Sequence, residues 1–185
     1  MTDNHLSELR FDALELHDSV RAGIRDAGFE FCTPIQAKTL PIALKGHDVA
    51  GQPQTGTGKT AAFLIAAYEY LIAHPVEFDG PHQPRVFCLA TTRELAVQVA
   101  EVLEPVAHHA GMRVLPVYGG ASRHHQVDEL AKGVEIVIAT PLRLIDLIKS
   151  NEVSLDDMQI VTLDEADHVN VVVSFGLLHG TIRTG

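Results

Sequence analysis

The sequence predicts an α/β fold built on a mainly parallel sheet of at least five strands, with helices on both faces. Five short segments rich in Val, Ile and Leu alternate with helix-forming segments along the 185 residues. Apolar runs of this kind are typical of strands that are buried on both faces, as parallel strands are. The alternation also implies right-handed crossovers and a ligand site at the carboxyl ends of the strands.

The predicted elements follow one another with short connections. Strands are expected near residues 47–52, 85–90, 113–118, 134–139 and 159–163. Helices are expected near residues 12–27, 34–44, 58–73, 93–110, 122–132 and 141–150. Several of these helices begin after Thr or Ser, whose side chains cap the free N–H groups of a first turn, and several end at Gly. In the tail, Val171 to Val173 favours one further strand, added or irregular.

The most specific local pattern is the segment QTGTGKT, which runs straight into the apolar helix segment AAFLIAA. Its glycines let the backbone turn several N–H groups toward one anion, and the emerging helix adds a partial positive charge. Lys59 is placed to reach the β- and γ-phosphates, and the Thr60 hydroxyl to bind Mg2+. The pattern predicts a polyphosphate site formed by Gln54, Thr55, Gly56, Thr57, Gly58, Lys59 and Thr60. The alternative is a Gly/Thr-rich turn that caps a buried helix.

One position of this loop departs from the strict phosphate-loop pattern. Pro53 stands where that pattern has its first glycine. Proline has a fixed φ and no N–H. We therefore expect the first turn of the loop to be reshaped and one donor to be missing.

An acidic cluster follows the last predicted strand, where residues 160–167 read IVTLDEAD. A carboxylate at the end of a strand beside a phosphate loop can hold Mg2+, and a neighbouring Glu can orient the attacking water. Asp164 suits the first role and Glu165 the second. We predict Lys59, Asp164 and Glu165 as catalytic residues, and Thr60 and Asp164 as metal ligands. The alternative is a solvated helix N-terminus, where acids are also favoured.

The sequence DEAD at residues 164–167 resembles the name-giving motif of the DEAD-box ATP-dependent RNA helicases, in their bacterial type. Gly28-Phe29 followed by CTPIQ at 32–36, with Phe11 seventeen residues before Gly28, resembles the Q motif of that family. The resemblance implies that Gln36 hydrogen-bonds the edge of an adenine and that Phe11 stacks on it. It also implies Phe29 and Thr33 as neighbours of the nucleotide.

Elementary chemistry agrees with an adenine-reading role for Gln36. A side-chain amide is both donor and acceptor, so it can pair with the adenine amino group and a ring nitrogen. A purely local interpretation has Thr33 as an N-cap, Pro34 at the first helical position and Gln36 merely exposed on the first turn. The two interpretations can hold together.

Three further segments resemble the RNA-contacting motifs of the same family: TTRELA at 91–96, the Gly119-Gly120 doublet, and TPLR at 140–143. Each follows a predicted strand at a helix start, where amide N–H groups can receive a backbone phosphate. Taken singly, each is equally typical of an ordinary strand-to-helix turn. Leu142 stands where the family has a glycine that permits close approach of the nucleic acid. The resemblance implies RNA contacts at Thr92, Arg93, Gly119, Gly120, Thr140 and Arg143.

The resemblance covers about residues 11–167 and corresponds to the first of the family's two RecA-like domains. We expect a RecA-like ATP-binding domain at 1–167 and an atypical tail at 168–185, with the second RecA-like domain absent. The implied function is the nucleotide-binding half of an ATP-dependent RNA helicase, which hydrolyses Mg-ATP and remodels RNA when joined to the second domain. Alone it should be weakly active or inactive, because the family carries its arginine finger on that second domain.

Two alternatives from other functional classes stay open at this point. The first is a truncated, non-catalytic module that binds a nucleotide or a protein partner, which Pro53, Leu142 and the foreign tail favour. The second is a different P-loop ATPase that acts on DNA, which the adenine-reading segment argues against.

Composition limits the partners of the chain. A net charge of −10 and a pI near 5.5 argue against broad electrostatic capture of nucleic acid. We therefore expect weak, salt-sensitive RNA binding by this chain alone. Its longest apolar stretch is far below the ~20 residues of a membrane span, and MTDNHLSELR lacks the basic and apolar regions of a signal peptide. We expect a cytoplasmic protein with no membrane partner.

Overall fold

A six-stranded sheet organises the chain in a computed structural model that describes residues 6–51, 58–163 and 171–175. The strands are β1 Val49–Gly51, β2 Val86–Leu89, β3 Val114–Val117, β4 Ile136–Ala139, β5 Ile160–Leu163 and β6 Val171–Phe175. The helices are α1 Asp18–Asp26, α2 Pro34–Ala43, α3 Gly58–Ala73, α4 Arg93–Ala110, α5 Arg123–Ala131 and α6 Pro141–Lys149. A short 3-10 helix at Phe11–Ala13 precedes α1.

The strand order is β1-β6-β5-β2-β4-β3. The four neighbours β5, β2, β4 and β3 are parallel, with Phe87 of β2 opposite both Val137 and Val161. Strand β6 is antiparallel to both β1 and β5. Five strands therefore share one direction, and only β6 in the tail is reversed. This confirms the predicted mainly parallel sheet of at least five strands.

Two hydrophobic clusters cover the two faces of the sheet. Alternate residues of β2 and β4 enter different clusters: Val86 and Ile136 pack with α1, α2, α3 and α4, whereas Phe87 and Val137 pack with α5 and α6. Burial on both sides explains why these strands are continuously apolar rather than alternating. Helices on both faces are thus confirmed.

Helices α1 and α4 pack closely against each other. A Cβ placed on Gly23 would lie 2.4 Å from the Val106 Cα, so only glycine permits this approach. Among the described residues, no helix is both long enough and apolar enough to cross a membrane.

The predicted helix at 12–27 is wrong in its first half. Leu14 and His17 have extended backbones, and α1 begins only at Asp18. The pattern explains this outcome, because Leu14 and Leu16 are buried while Glu15 between them is exposed, which is the period of an extended chain. The ring of His17 then caps α1 by accepting from the Ser19 N–H at 3.3 Å. The other helices and the strands lie within two residues of their predicted bounds.

Candidate functional site

The carboxyl ends of three adjacent parallel strands bring the predicted RNA-contacting segments together. Strand β2 leads to Thr92 and Arg93, β3 to Gly119 and Gly120, and β4 to Thr140. Backbone hydrogen bonds continue past the strands, from the Ala90 N–H to the Ala139 carbonyl and from the Thr140 N–H to the Val117 carbonyl, both at 2.9 Å. The three helix starts are therefore fixed relative to one another by the sheet itself.

Gln36 joins the start of α2 to the start of α3. Its Oε1 accepts from the Thr33 N–H at 2.7 Å, and its Nε2 donates to the Gly58 carbonyl at 3.0 Å. The Thr33 hydroxyl in turn accepts from the Gln36 N–H at 3.4 Å, which completes a capping box with Pro34 at the first helical position. The structure therefore confirms the cap at Thr33. The expectation that Gln36 is merely exposed is wrong, because only 3% of it is accessible.

A side chain would fit tightly where these two helix starts meet. A Cβ on Gly58 would lie 3.0 Å from the Thr33 hydroxyl oxygen and 3.4 Å from its methyl carbon. The two helix starts are thus in close van der Waals contact beside the Gln36 link. The segment predicted to read adenine and the first turn of α3 therefore pack against each other.

Lys59 and Thr60 lie in the first turn of α3 and are buried, with 5% and 2% of their surfaces exposed. A lysine in such a position is unusual, since burial penalises its charge unless an anion or acceptor is close. The remaining predicted loop residues Gln54, Thr55, Gly56 and Thr57 lie outside the described residues. Pro53 and the acidic residues Asp164 and Glu165 lie outside them as well.

A cleft of about 340 Å³ contains both predicted aromatic residues. The rings of Phe11 and Phe29 are tilted by 43° with centroids 6.1 Å apart. Two exposed ion pairs, Arg10–Glu30 at 2.6 Å and Arg25–Asp12 at 2.9 Å, border this cleft. No sequence motif marks those four residues, because charges scattered over a surface leave no local pattern.

The cleft does not bring the aromatic residues and Gln36 into one cavity. Its described lining includes neither Gln36 nor any residue of α3. Phe11 is only 2% exposed, so little of its ring is open for stacking. In this structure Gln36 belongs with Gly58 at the helix starts, and Phe11 with Phe29 beside α1.

Arg93 is the open cation among the predicted RNA-contacting residues. Its guanidinium carbon lies 5.5 Å from the centroid of the Tyr118 ring, and it makes no hydrogen bond within the part of the chain that the structure describes. Gly120 lies beside it, because a Cβ there would be 3.8 Å from an Arg93 nitrogen. Thr92 caps α4 by accepting from the Leu95 N–H at 3.1 Å. The TTRELA segment and the glycine doublet are therefore in contact.

The side chain of Arg143 forms hydrogen bonds within the protein. It donates to the Gln126 Oε1 at 2.8 Å and to the Ala121 carbonyl at 3.3 Å. Gln126 is 4% exposed and donates onward to the Tyr118 carbonyl at 3.2 Å. The next residue toward the amino terminus, Leu142, is 83% exposed. Arg143 and Gln126 thus hold the loop that carries the glycine doublet, and no sequence pattern pointed to Gln126.

Comparison with known proteins identifies the family of the chain. Residues 33–182 match the family described as DEAD/DEAH box helicase. The chain belongs to the DEAD/DEAH box helicase family. The match continues through the segment that contains β6.

Individual curated proteins are similar to the chain over most of its length. The chain is 47% identical over 169 residues to the ATP-dependent RNA helicase RhlB of Actinobacillus succinogenes. It is 48% identical over 170 residues to the proteins of that name from Shewanella denitrificans and Haemophilus influenzae. These matches cover 91% of the chain but only 41%, 39% and 41% of the three relatives. The chain therefore spans about two fifths of the length of the curated relatives it matches.

Proposed function

We propose that the chain is the nucleotide-binding half of an ATP-dependent RNA helicase. The observation that carries this proposal is the hydrogen bond from the Gln36 side chain to the Gly58 carbonyl. It ties the predicted adenine-reading segment to the first turn of the predicted phosphate helix. Family membership and the shared name of the relatives, ATP-dependent RNA helicase, support the same conclusion.

Gln36 keeps hydrogen-bonding capacity for an adenine. A side-chain amide has two N–H donors and two lone pairs on its oxygen. The bonds to Thr33 and Gly58 use one donor and one lone pair. The second N–H and the second lone pair suit the ring nitrogen and the amino group of adenine. Phe11 and Phe29 would flank the base if their cleft opens toward Gln36.

The phosphate and metal roles are assigned to the residues around the start of α3. Gln54 to Thr60 would bind the phosphates, with Lys59 as the charged donor. Thr60 and Asp164 would hold Mg2+, for which a hydroxyl and a carboxylate are suitable hard oxygen ligands. The buried hydroxyl of Thr60 in the first helical turn fits this donor set. The bound ion would neutralise charge on the phosphates, and Glu165 would orient the attacking water.

RNA would bind across the three helix starts at the carboxyl ends of β2, β3 and β4. The amide N–H groups near Thr92, Gly119, Gly120 and Thr140 would receive backbone phosphates, which requires no net positive charge. Arg93 would add the exposed cation. Arg143 would act by holding the Tyr118–Ala121 loop. With a net charge of −10 the chain alone should bind RNA weakly.

Hydrolysis and RNA remodelling would require the second RecA-like domain of the complete protein. An arginine finger contributes on the order of 10^3 to 10^5 in rate, and we place it on that domain. Residues 1–167 would form the first domain, residues 168–185 its atypical tail, and the site of action would be the cytoplasm.

Isothermal titration tests the nucleotide part of the proposal. Mg-ATP should bind at least tenfold more tightly than Mg-GTP, because the exocyclic groups of guanine mismatch the donor and acceptor pattern left on Gln36. Removing the metal with EDTA should weaken ATP binding, and Gln36→Ala should abolish the preference for ATP. Equal affinities for the two nucleotides would contradict adenine reading, and no binding of either would contradict a nucleotide site altogether.

A non-catalytic binding module is the second candidate. Two observations favour it. Leu142, an apolar residue, is 83% exposed at this edge, and Arg143 hydrogen-bonds to Gln126 and Ala121. Both reduce the number of polar groups with which this edge can contact RNA. RNA-stimulated ATP hydrolysis that is lost in Glu165→Gln would exclude this candidate. An exposed-surface variant such as Glu101→Gln is the matched control.

A further inference from the structure

A buried hydroxyl on β5 has no partner among the described residues. Thr162 is completely buried, and its Oγ1 forms no hydrogen bond with any of them. The described part of the chain contains two other such atoms, the Arg21 Nε and the Tyr68 hydroxyl, and neither lies on a strand. The buried Thr39 hydroxyl, by contrast, donates to the Ile35 carbonyl at 2.8 Å. Burying a hydroxyl without a partner opposes folding, so its presence here requires an explanation.

Its position in the sheet places Thr162 toward the phosphate helix. Ile160 packs in the cluster that contains α3, and side chains two residues apart on a strand share a face. Helix α3 packs directly on β5. Thr162 is one residue before the carboxyl end of its strand, the end at which α3 begins with Gly58, Lys59 and Thr60.

We propose that Thr162 is a positioning residue for the bound metal and nucleotide. Its hydroxyl has no partner among the described residues and gains one when Mg-nucleotide binds at the first turn of α3. The partner would be the Thr60 side chain or a water held beneath the metal. The missing hydrogen bond of the free protein thus becomes part of the binding free energy of the ligand. This inference rests on the proposed nucleotide site.

Two substitutions separate the hydroxyl from the shape of the side chain. Thr162→Val replaces the hydroxyl by a methyl group of similar volume, whereas Thr162→Ser keeps the hydroxyl and loses a methyl group. Thr39→Val is the matched control, because it removes a hydroxyl that is already bonded. Thermal unfolding of the ligand-free chain and titration with Mg-ATP are measured for all four proteins.

The proposal expects opposite signs in the two measurements. Thr162→Val should raise the unfolding midpoint by about 2–4 °C, since an unsatisfied buried hydroxyl is removed. The same variant should bind Mg-ATP about tenfold more weakly, which is the loss of one hydrogen bond formed only in the complex. Thr162→Ser should be less stable than the wild type but keep its affinity within about twofold. Thr39→Val should not gain stability.

The negative results are distinguishable. A Thr162→Val protein that is less stable than the wild type would overturn the inference, because the hydroxyl would then be partnered without ligand. Unchanged Mg-ATP affinity in a stabilised Thr162→Val protein would overturn it as well. If the wild type binds no nucleotide, the proposed function itself fails, and the inference about Thr162 fails with it.

Discussion

Two halves of the sheet's carboxyl edge use polar side chains in different ways. We call the starts of α2 and α3 with the end of β5 the nucleotide half, and the helix starts after β2, β3 and β4 the nucleic-acid half. In the nucleic-acid half, the side chains of Thr92, Gln126 and Arg143 form hydrogen bonds within the protein. In the nucleotide half, Gln36 also bonds internally, and Lys59 and Thr60 are buried in the first turn of α3. The distinguishing group is the buried Thr162 hydroxyl, which has no hydrogen-bond partner among the described residues.

The two halves offer different groups to a ligand: the nucleotide half offers mainly side chains, and the nucleic-acid half offers mainly backbone N–H groups. The nucleic-acid half is held by internal hydrogen bonds and offers amide N–H groups and the exposed Arg93, which suits a ligand recognised by its phosphates. The nucleotide half concentrates buried polar side chains at two helix starts, and each such group costs free energy unless it has a partner. We therefore expect substitutions in the nucleotide half to act on binding, with Gln36 acting on stability as well, and most substitutions in the nucleic-acid half to act on stability.

The largest expected effect is the loss of the buried lysine in the nucleotide half. Lys59→Ala should weaken Mg-ATP binding on the order of 10- to 100-fold, because a hydrogen bond to a charged group contributes about 1.5–3 kcal/mol. Isothermal titration measures the change. Lys45→Ala is the control, since Lys45 is exposed just after α2. Equal losses in both variants would indicate a general charge effect rather than a site.

Gln36 tests whether the nucleotide half is assembled before the ligand arrives. Gln36→Ala removes the bonds to Thr33 and Gly58, so we expect the free energy of unfolding to fall by about 2–3 kcal/mol. Gln36→Glu keeps an acceptor for the Thr33 N–H but places a carboxylate against the Gly58 carbonyl. It should therefore be about as unstable as Gln36→Ala near neutral pH. Urea unfolding measures both variants.

Gln98→Ala, on the exposed surface of α4, is the control for the loss of a glutamine. It should change stability by less than about 0.5 kcal/mol. A Gln36→Ala protein as stable as this control would mean that the link to Gly58 contributes nothing before nucleotide binds.

The two arginines of the nucleic-acid half should respond in opposite ways. Arg143→Ala leaves the buried Gln126 Oε1 without its donor, so we expect a loss of about 1–2 kcal/mol in unfolding free energy. Arg93→Ala should change stability by less than about 0.5 kcal/mol. It should instead weaken the salt dependence of binding to single-stranded RNA. The slope of log affinity against log salt is negative, and its magnitude should decrease by about 0.7. Fluorescence anisotropy across a salt series measures that slope.

Arg143→Lys sharpens the distinction, because a lysine keeps the charge but not the forked geometry that reaches both Gln126 and Ala121. It should remain destabilised. A stable Arg143→Lys protein with a reduced RNA salt slope would contradict the structural role and assign Arg143 to RNA contact.

The sequence was sufficient to predict the elements and their common edge, because strand burial and helix capping leave local patterns. Thr33 and Ser122 as caps and the helix start at Gly58 are of this kind. The first helix was predicted to begin six residues too early, because Leu16, Val20 and Ile24 are spaced four residues apart, which is also the spacing of one helix face. Long-range side-chain pairing leaves no local trace, so the bonds of Gln36 to Gly58 and of Arg143 to Gln126 required the structure.

The smallest expected effect concerns the thiol beside the Thr33 cap. Burial raises the pKa of Cys32 to about 11, from an ordinary value of 9.0. The unfolded chain therefore releases this proton at lower pH than the folded chain does. The buried neutral thiol therefore makes a contribution to the free energy of unfolding that is fully present below pH 9. That contribution is lost as pH rises from about 9 to about 11. We expect the wild type to lose about 1 kcal/mol of stability by pH 10 from this group.

Cys32→Ala isolates that contribution from other alkaline titrations. The substitution removes the titrating group, so the difference in unfolding free energy between wild type and variant should narrow by about 1 kcal/mol between pH 8 and pH 10. Parallel curves would mean that the thiol ionises as easily in the folded chain as in the unfolded one. The backbone bonds between Cys32 and the Ser7–Leu9 segment would then open readily. In that case solvent would reach the nucleotide half beside Thr33 more easily than the burial of Cys32 indicates. The two halves would then differ less in how strongly they bury their side chains.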